Sequence, residues 1–83
     1  MGNIHTSGED YLETILVLWN KQNGEVRSID VARELNVTKP SVSNAMKILR
    51  EGKFITMDEN GFITLTDAGR YVAEKIYEKH LVL

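Results

Sequence analysis

Lys39, Pro40, Ser41, Ser43, Asn44, Lys47 and Arg50 fall within one short stretch of the chain, and together they offer the chemistry of duplex DNA recognition. An asparagine amide can bond adenine N6 and N7 in a bidentate way. A serine such as Ser43 can bond a base edge or a phosphate, and the ring of Pro40 can rest on a thymine methyl. Lys47, Arg50 and the hydroxyls of Ser28, Thr38 and Ser41 would then be phosphate contacts that set register. Each residue also has a plainer reading. Thr38 and Ser41 suit a helix start simply as caps, and Lys47 and Arg50 taken singly read as solvated charges. Asn44 is harder to dismiss, because asparagine is a poor mid-helix residue. The pattern carries more weight than any member.

Such residues work only when a helix presents them on an exposed face. Ser28 reads as the cap of a short helix with Ile29, Val31, Ala32 and Leu35 as its apolar positions. Leu35-Asn36-Val37-Thr38 reads as a tight turn, and Thr38 caps the next helix with Pro40 near its first position, where a missing N–H costs nothing. That helix turns Val42, Ala45, Met46 and Leu49 inward and stops at Gly52. A small residue in the first helix of the pair, a tight turn and a polar second helix are what a helix–turn–helix needs.

The flanking segments complete the architecture. Ser7-Gly8-Glu9-Asp10 has capping-box form and opens a helix with Leu12, Ile15, Leu16, Leu18 and Trp19 on one face, ended by Asn23-Gly24. Phe54-Ile55-Thr56-Met57 and Phe62-Ile63-Thr64-Leu65 read as strands around Asp58-Glu59-Asn60-Gly61, since Asn-Gly is a strong hairpin signal. Thr66 caps a last helix whose apolar residues are Ala68, Val72, Ala73 and Ile76. The expected fold is a mostly α, α+β winged helix–turn–helix covering residues 1–83, with three helices, a two-stranded wing at about 54–65 and a final helix at about 66–83.

Bulk properties agree. The 83 residues allow one small core, and 42% hydrophobic content is enough to fill it. Without cysteine, disulfides, thiolate metal sites and cysteine nucleophiles are excluded. The first residues lack signal-peptide form and no apolar run is long enough to span a bilayer, so a cytoplasmic location without a membrane partner is expected. The net charge of -2 argues against nucleic acid only until its distribution is read. Between Asn36 and Met57, Lys39, Lys47, Arg50 and Lys53 oppose Glu51 alone, a local balance of +3. Screening lets such a patch act locally. The wing is different, because Asp58 and Glu59 at its tip would be repelled by phosphate. It is expected to add little affinity.

On Ser7-Gly8-Glu9-Asp10-Tyr11-Leu12-Glu13-Thr14-Ile15, Pro40-Ser41-Val42-Ser43-Asn44, Leu65-Thr66-Asp67-Ala68-Gly69 and Glu78-Lys79-His80-Leu81, the chain resembles the diphtheria-toxin-repressor-type metal-dependent transcriptional regulators, most closely their manganese-responsive branch. The resemblance implies a repressor that binds palindromic operator DNA as a homodimer. It also implies a metal held between the first helix, the helix after the wing and a following dimerisation domain. Position 10 is a ligand in both branches, methionine in the iron-responsive one and aspartate in the manganese one; here it is Asp10. Glu13 and His80 match further manganese-branch ligands. Two carboxylates and an imidazole suit a hard ion, Mn²⁺ with Fe²⁺ as the alternative. The plainer readings are a capping acid, a surface acid and a histidine at a helix end. The family's remaining ligands fall beyond the position of Leu83, so the site is expected to be partial, and the apolar Leu81-Val82-Leu83 reads as an interrupted helix. Two other functions compete: a winged-helix regulator needing no metal, and a winged helix that binds protein. An enzyme is not expected, because no Ser/His/Asp or glycine-rich phosphate motif appears and the only histidines are His5 and His80.

Overall fold

The structure, a computed structural model, describes residues 8–81, with side-chain surroundings given through residue 79. The Ser7 capping box therefore lies outside the described residues. Four helices and one hairpin follow the order α1 (Gly8–Lys21), α2 (Ser28–Leu35), α3 (Lys39–Glu51), β1 (Ile55–Met57), β2 (Ile63–Leu65) and α4 (Asp67–Leu81). This is the winged helix–turn–helix order.

Helix α1 buries Tyr11, Leu12, Ile15, Leu16 and Leu18 and packs along α4. Burial at Tyr11 pushes its phenol above the ordinary value, so it stays neutral in the core. The core is closed by Val31 and Ala32 of α2, Val42, Met46 and Leu49 of α3, and Ile55, Ile63 and Leu65 of the hairpin. Val26, which falls in no periodic segment of the sequence, is fully buried. Its carbonyl accepts the Ile63 N–H at 2.8 Å, so the segment between α1 and α2 lies along the open edge of β2.

Three helices end on a non-glycine residue in the left-handed region: Asn23, Asn36 and Lys53, with φ of 55°, 56° and 64°. At the end of α3, Phe54 N–H reaches Leu49 O at 2.9 Å and Lys53 N–H reaches Arg50 O at 3.0 Å, the paired bonds of a Schellman motif. Gly52 is thus not the left-handed residue; it keeps φ of -78°. The conformational demand falls on Lys53. Gly69 at the start of α4 serves close approach instead, because a Cβ there would collide with the Phe54 carbonyl oxygen. Thr66 locks the same junction, donating to Lys53 O at 2.7 Å and accepting from Gly69 N–H at 3.2 Å.

Several expectations are corrected. Ser28 is the first residue of α2 rather than its cap; extended Arg27 holds the cap position, and the Asp30 carboxylate accepts its N–H at 2.9 Å. Asp30 can do this at the third helical position, where a carboxylate reaches back to the cap N–H. Ile29 is 43% exposed and Ala68 is also exposed, so neither joins the inward set. In the wing, Asn60 does not take the positive φ that a two-residue Asn-Gly turn demands; Gly61 alone does, at 84°. Gly61 N–H bonds Asp58 O at 3.0 Å, giving a turn closed by a left-handed glycine. The strands are one residue shorter at their Phe54 and Phe62 ends, with Ile55 facing Leu65 and Met57 facing Ile63.

Candidate nucleic-acid interface

The turn between α2 and α3 is built by backbone bonds. Asn36 turns left-handed, its N–H meets Arg33 O at 3.4 Å, and Val37 N–H meets Ala32 O at 3.0 Å. Asparagine tolerates this conformation better than most residues. Ala32 is buried, so α3 closes over a small side chain. Thr38 then caps α3: its Oγ1 accepts the Ser41 N–H at 3.2 Å and donates to Ser41 Oγ at 2.9 Å. Two of the expected phosphate contacts are therefore occupied with each other, although both remain exposed.

Beyond that cap, α3 divides cleanly. Val42, Met46 and Leu49 are buried, while Lys39, Pro40, Ser43, Asn44, Lys47 and Arg50 are exposed. Neither Ser43, Asn44, Lys47 nor Arg50 forms a side-chain hydrogen bond or ion pair among the described residues. Asn44 thus presents a mid-helix amide to solvent, with two free cations, Lys47 and Arg50, following it on the same helix. Ser28 is half-buried at the start of α2, away from this cluster in sequence but on the helix preceding the turn.

The wing shows the opposite use of polar groups. Asp58 Oδ1 accepts the N–H groups of Asn60 and Phe62, both at 2.9 Å. Asp58 is therefore not the repulsive tip charge alone that the sequence predicts; its carboxylate also holds the turn together. One cation does approach the wing: the Arg27 guanidinium lies 4.4 Å from the centre of the Phe62 ring. Sequence reasoning passed over Arg27. Its only signal was a cation immediately before the start of a helix–turn–helix.

Asp10 and Glu13 sit on α1 at i, i+3, both half-buried. His80 belongs to α4, but its side chain lies outside the described residues. Among the described residues no three histidine, cysteine, aspartate or glutamate side chains gather as a metal-binding group. The two helices concerned do pack together, and Leu16, Val17 and Asn20 of α1 share an open cleft with Arg70, Glu74 and Tyr77 of α4. No helix among the described residues is long and apolar enough to cross a membrane.

With this geometry in place, a family comparison decides the wider identity. Residues 3–63 match the model of the iron dependent repressor, N-terminal DNA binding domain. The chain belongs to this family. Its members are transcriptional regulators, not enzymes. A helix–turn–helix-type transcriptional regulator of Methanocaldococcus jannaschii is 33% identical over 72 residues, covering 87% of this chain and 58% of that protein. The transcriptional regulator MntR of Salmonella typhimurium is 32% identical over 77 residues, covering 90% of this chain and 47% of that protein. The chain thus spans about half the length of the curated relatives it matches. Among solved structures, ScaR with bound Zn²⁺ superposes with a TM-score of 0.73 at 27% identity, over 89% of this chain and 34% of that one. MepR of S. aureus, solved as a DNA complex, gives 0.62 at 26% identity, over 87% of this chain and 58% of that one.

Proposed function

We propose that this chain is the DNA-reading part of a metal-responsive repressor, acting as a homodimer on palindromic operator DNA. The observation that carries the reading is the outer face of α3, where Ser43, Asn44, Lys47 and Arg50 stand exposed and unbonded beyond a rigidly capped turn. Asn44 and Ser43 read base edges, Pro40 meets a thymine methyl, and Lys39, Lys47 and Arg50 neutralise phosphates. Ser28, Thr38 and Ser41 add hydroxyl contacts to the backbone. The likeness to a regulator solved on DNA supports the partner.

The residues fit a divalent cation in kind: Asp10 and Glu13 are hard oxygen donors on one helix face, and His80 is carried by the helix packed against it. When bound, Mn²⁺ or Fe²⁺ would supply a positive charge tying these three residues together. The similarity to MntR supports Mn²⁺, and ScaR with Zn²⁺ supports a divalent ion generally. Three ligands make a partial site, and the dimerisation domain of the resemblance would supply the rest. The same reading places the protein in the cytoplasm, with its DNA.

The test is a titration of Mn²⁺ against DNA affinity, using duplexes selected by the protein from a random library. The protein carrying this chain gains about tenfold or more in affinity with Mn²⁺, a coupling of ordinary allosteric size, and Asp10→Ala loses that gain. Equal affinity with and without metal overturns the metal reading and leaves a metal-independent winged-helix regulator. Selected duplexes that lack two inverted copies of one motif overturn the dimer. If no duplex binds, the protein-interaction reading takes its place.

A further inference from the structure

Ile48 is the most exposed large aliphatic side chain among the described residues, at 57%. It belongs to α3, yet it lies outside the buried set of Val42, Met46 and Leu49. Pro40, Asn44 and Ile48 are spaced at i, i+4 and i+8, so they form one ridge along the outer surface of the helix. Ser43, Lys47 and Arg50, spaced at i, i+4 and i+7, form the ridge beside it. One ridge is apolar, amide, apolar; the other is polar and cationic.

We propose that Ile48 is a base-reading residue that contacts a thymine 5-methyl in the major groove, one helical turn beyond the base read by Asn44. The inference rests on the DNA reading above and adds a specificity determinant to it. The thymine methyl is the one apolar group that a base pair shows in the major groove. Four residues of helix advance about 6 Å, close to two base-pair steps, so Ile48 and Asn44 address different base pairs. Charge selects DNA as the occupant: Lys47 and Arg50 flank Ile48 and complement phosphate, whereas the other exposed large hydrophobic residues lie off this helix, Ile29 on α2 and Tyr71 and Tyr77 on α4. Glu51 marks the end of the reading stretch, because a carboxylate there would be repelled by the backbone. Asn44 on adenine between Pro40 and Ile48 on methyl groups gives a preferred site of A·T pairs.

The experiment replaces each thymine of a selected duplex, one at a time, by uracil, which removes the methyl and keeps every base-pairing hydrogen bond. Binding of the wild-type protein and Ile48→Ala is measured by fluorescence anisotropy. At one thymine, replacement weakens wild-type binding about fourfold, the worth of one buried methyl group. Ile48→Ala binds the thymine duplex as weakly as wild type binds the uracil duplex, and is indifferent to that replacement. If Ile48→Ala keeps the wild-type response at every thymine, the proposal is overturned while DNA binding stands. If Ile48→Ala leaves DNA affinity unchanged but abolishes self-association, Ile48 is a protein contact and the proposal is likewise overturned. If the wild-type protein binds no duplex, the DNA reading itself fails. The methyl is deleted from the DNA rather than from the protein, so an effect confined to one thymine is not a folding defect.

Discussion

The outer face of α3 and the tip of the wing are both exposed and polar, yet they spend their polar groups differently. On α3, the Thr38 hydroxyl caps the helix start and donates to the Ser41 hydroxyl, and the polar side chains past them, Ser43, Asn44, Lys47 and Arg50, are left free. In the wing, Asp58 turns its carboxylate onto two backbone N–H groups, and Thr66 ties the hairpin to α4. A helix satisfies its own backbone and so releases its side chains for a partner. A tight turn does not, and it recruits the nearest carboxylate. Residue type and exposure alone do not separate a binding group from a building one; the state of the adjacent backbone does.

The strongest way to break the building side is Gly69→Ala. The added Cβ runs into the Phe54 carbonyl, a rigid neighbour, so we expect a loss of about 3 kcal/mol in urea unfolding. A loss under about 0.5 kcal/mol would show that the junction yields, because that is the range of an ordinary surface change.

Next in size is a paired substitution. Asp58→Ala removes two bonds to backbone amides and costs about 1–2 kcal/mol of stability with little change in DNA affinity. Asn44→Ala does the reverse, leaving stability within about 0.5 kcal/mol and weakening binding to selected duplexes by about 1–3 kcal/mol. Denaturation curves and anisotropy on both variants decide it. If both variants lose stability alone, α3 has no reading role.

Glu59→Lys sharpens the wing's position, since Glu59 is exposed and the turn's side-chain hydrogen bonds are made by Asp58. A tip close to the phosphates raises the salt slope of DNA binding by about 1. An unchanged slope places the tip away from the backbone. Asp58 is unsuitable for this test, because changing it also damages the turn.

The smallest effect is at Lys53, whose left-handed φ of 64° is unfavourable for a side chain. Lys53→Gly is expected to add about 1 kcal/mol of stability. If the salt slope of DNA binding also falls, Lys53 belongs to the interface as well as to the helix end.

Much of this was legible in the sequence. The helix order, the Thr38 and Thr66 caps, the Asn23-Gly24 stop and the Leu35 to Thr38 turn depend on neighbours within a few positions, and each stands in the fold as read, whereas the apolar spacing fails at exposed Ile29 and Ala68. Ser28 is not the cap for a local reason: two residues on, Asp30 offers a carboxylate that favours Arg27 as the cap position. Val26, Gly69 and the stacking of Arg27 on Phe62 depend on partners far along the chain. They could not be read locally.

By itself, then, the sequence determined which segments are helix, turn and hairpin, and it singled out the polar run from Lys39 to Arg50 as the candidate interface. Periodicity and capping are short-range and written in adjacent residues. Only the tertiary structure decided which of those polar residues remain free, that Asp58 supports the wing from within, and that Ile48 stands exposed beside Asn44 rather than in the core. Burial and hydrogen-bond partnership are set by what packs against a face, and that is a property of the assembled chain.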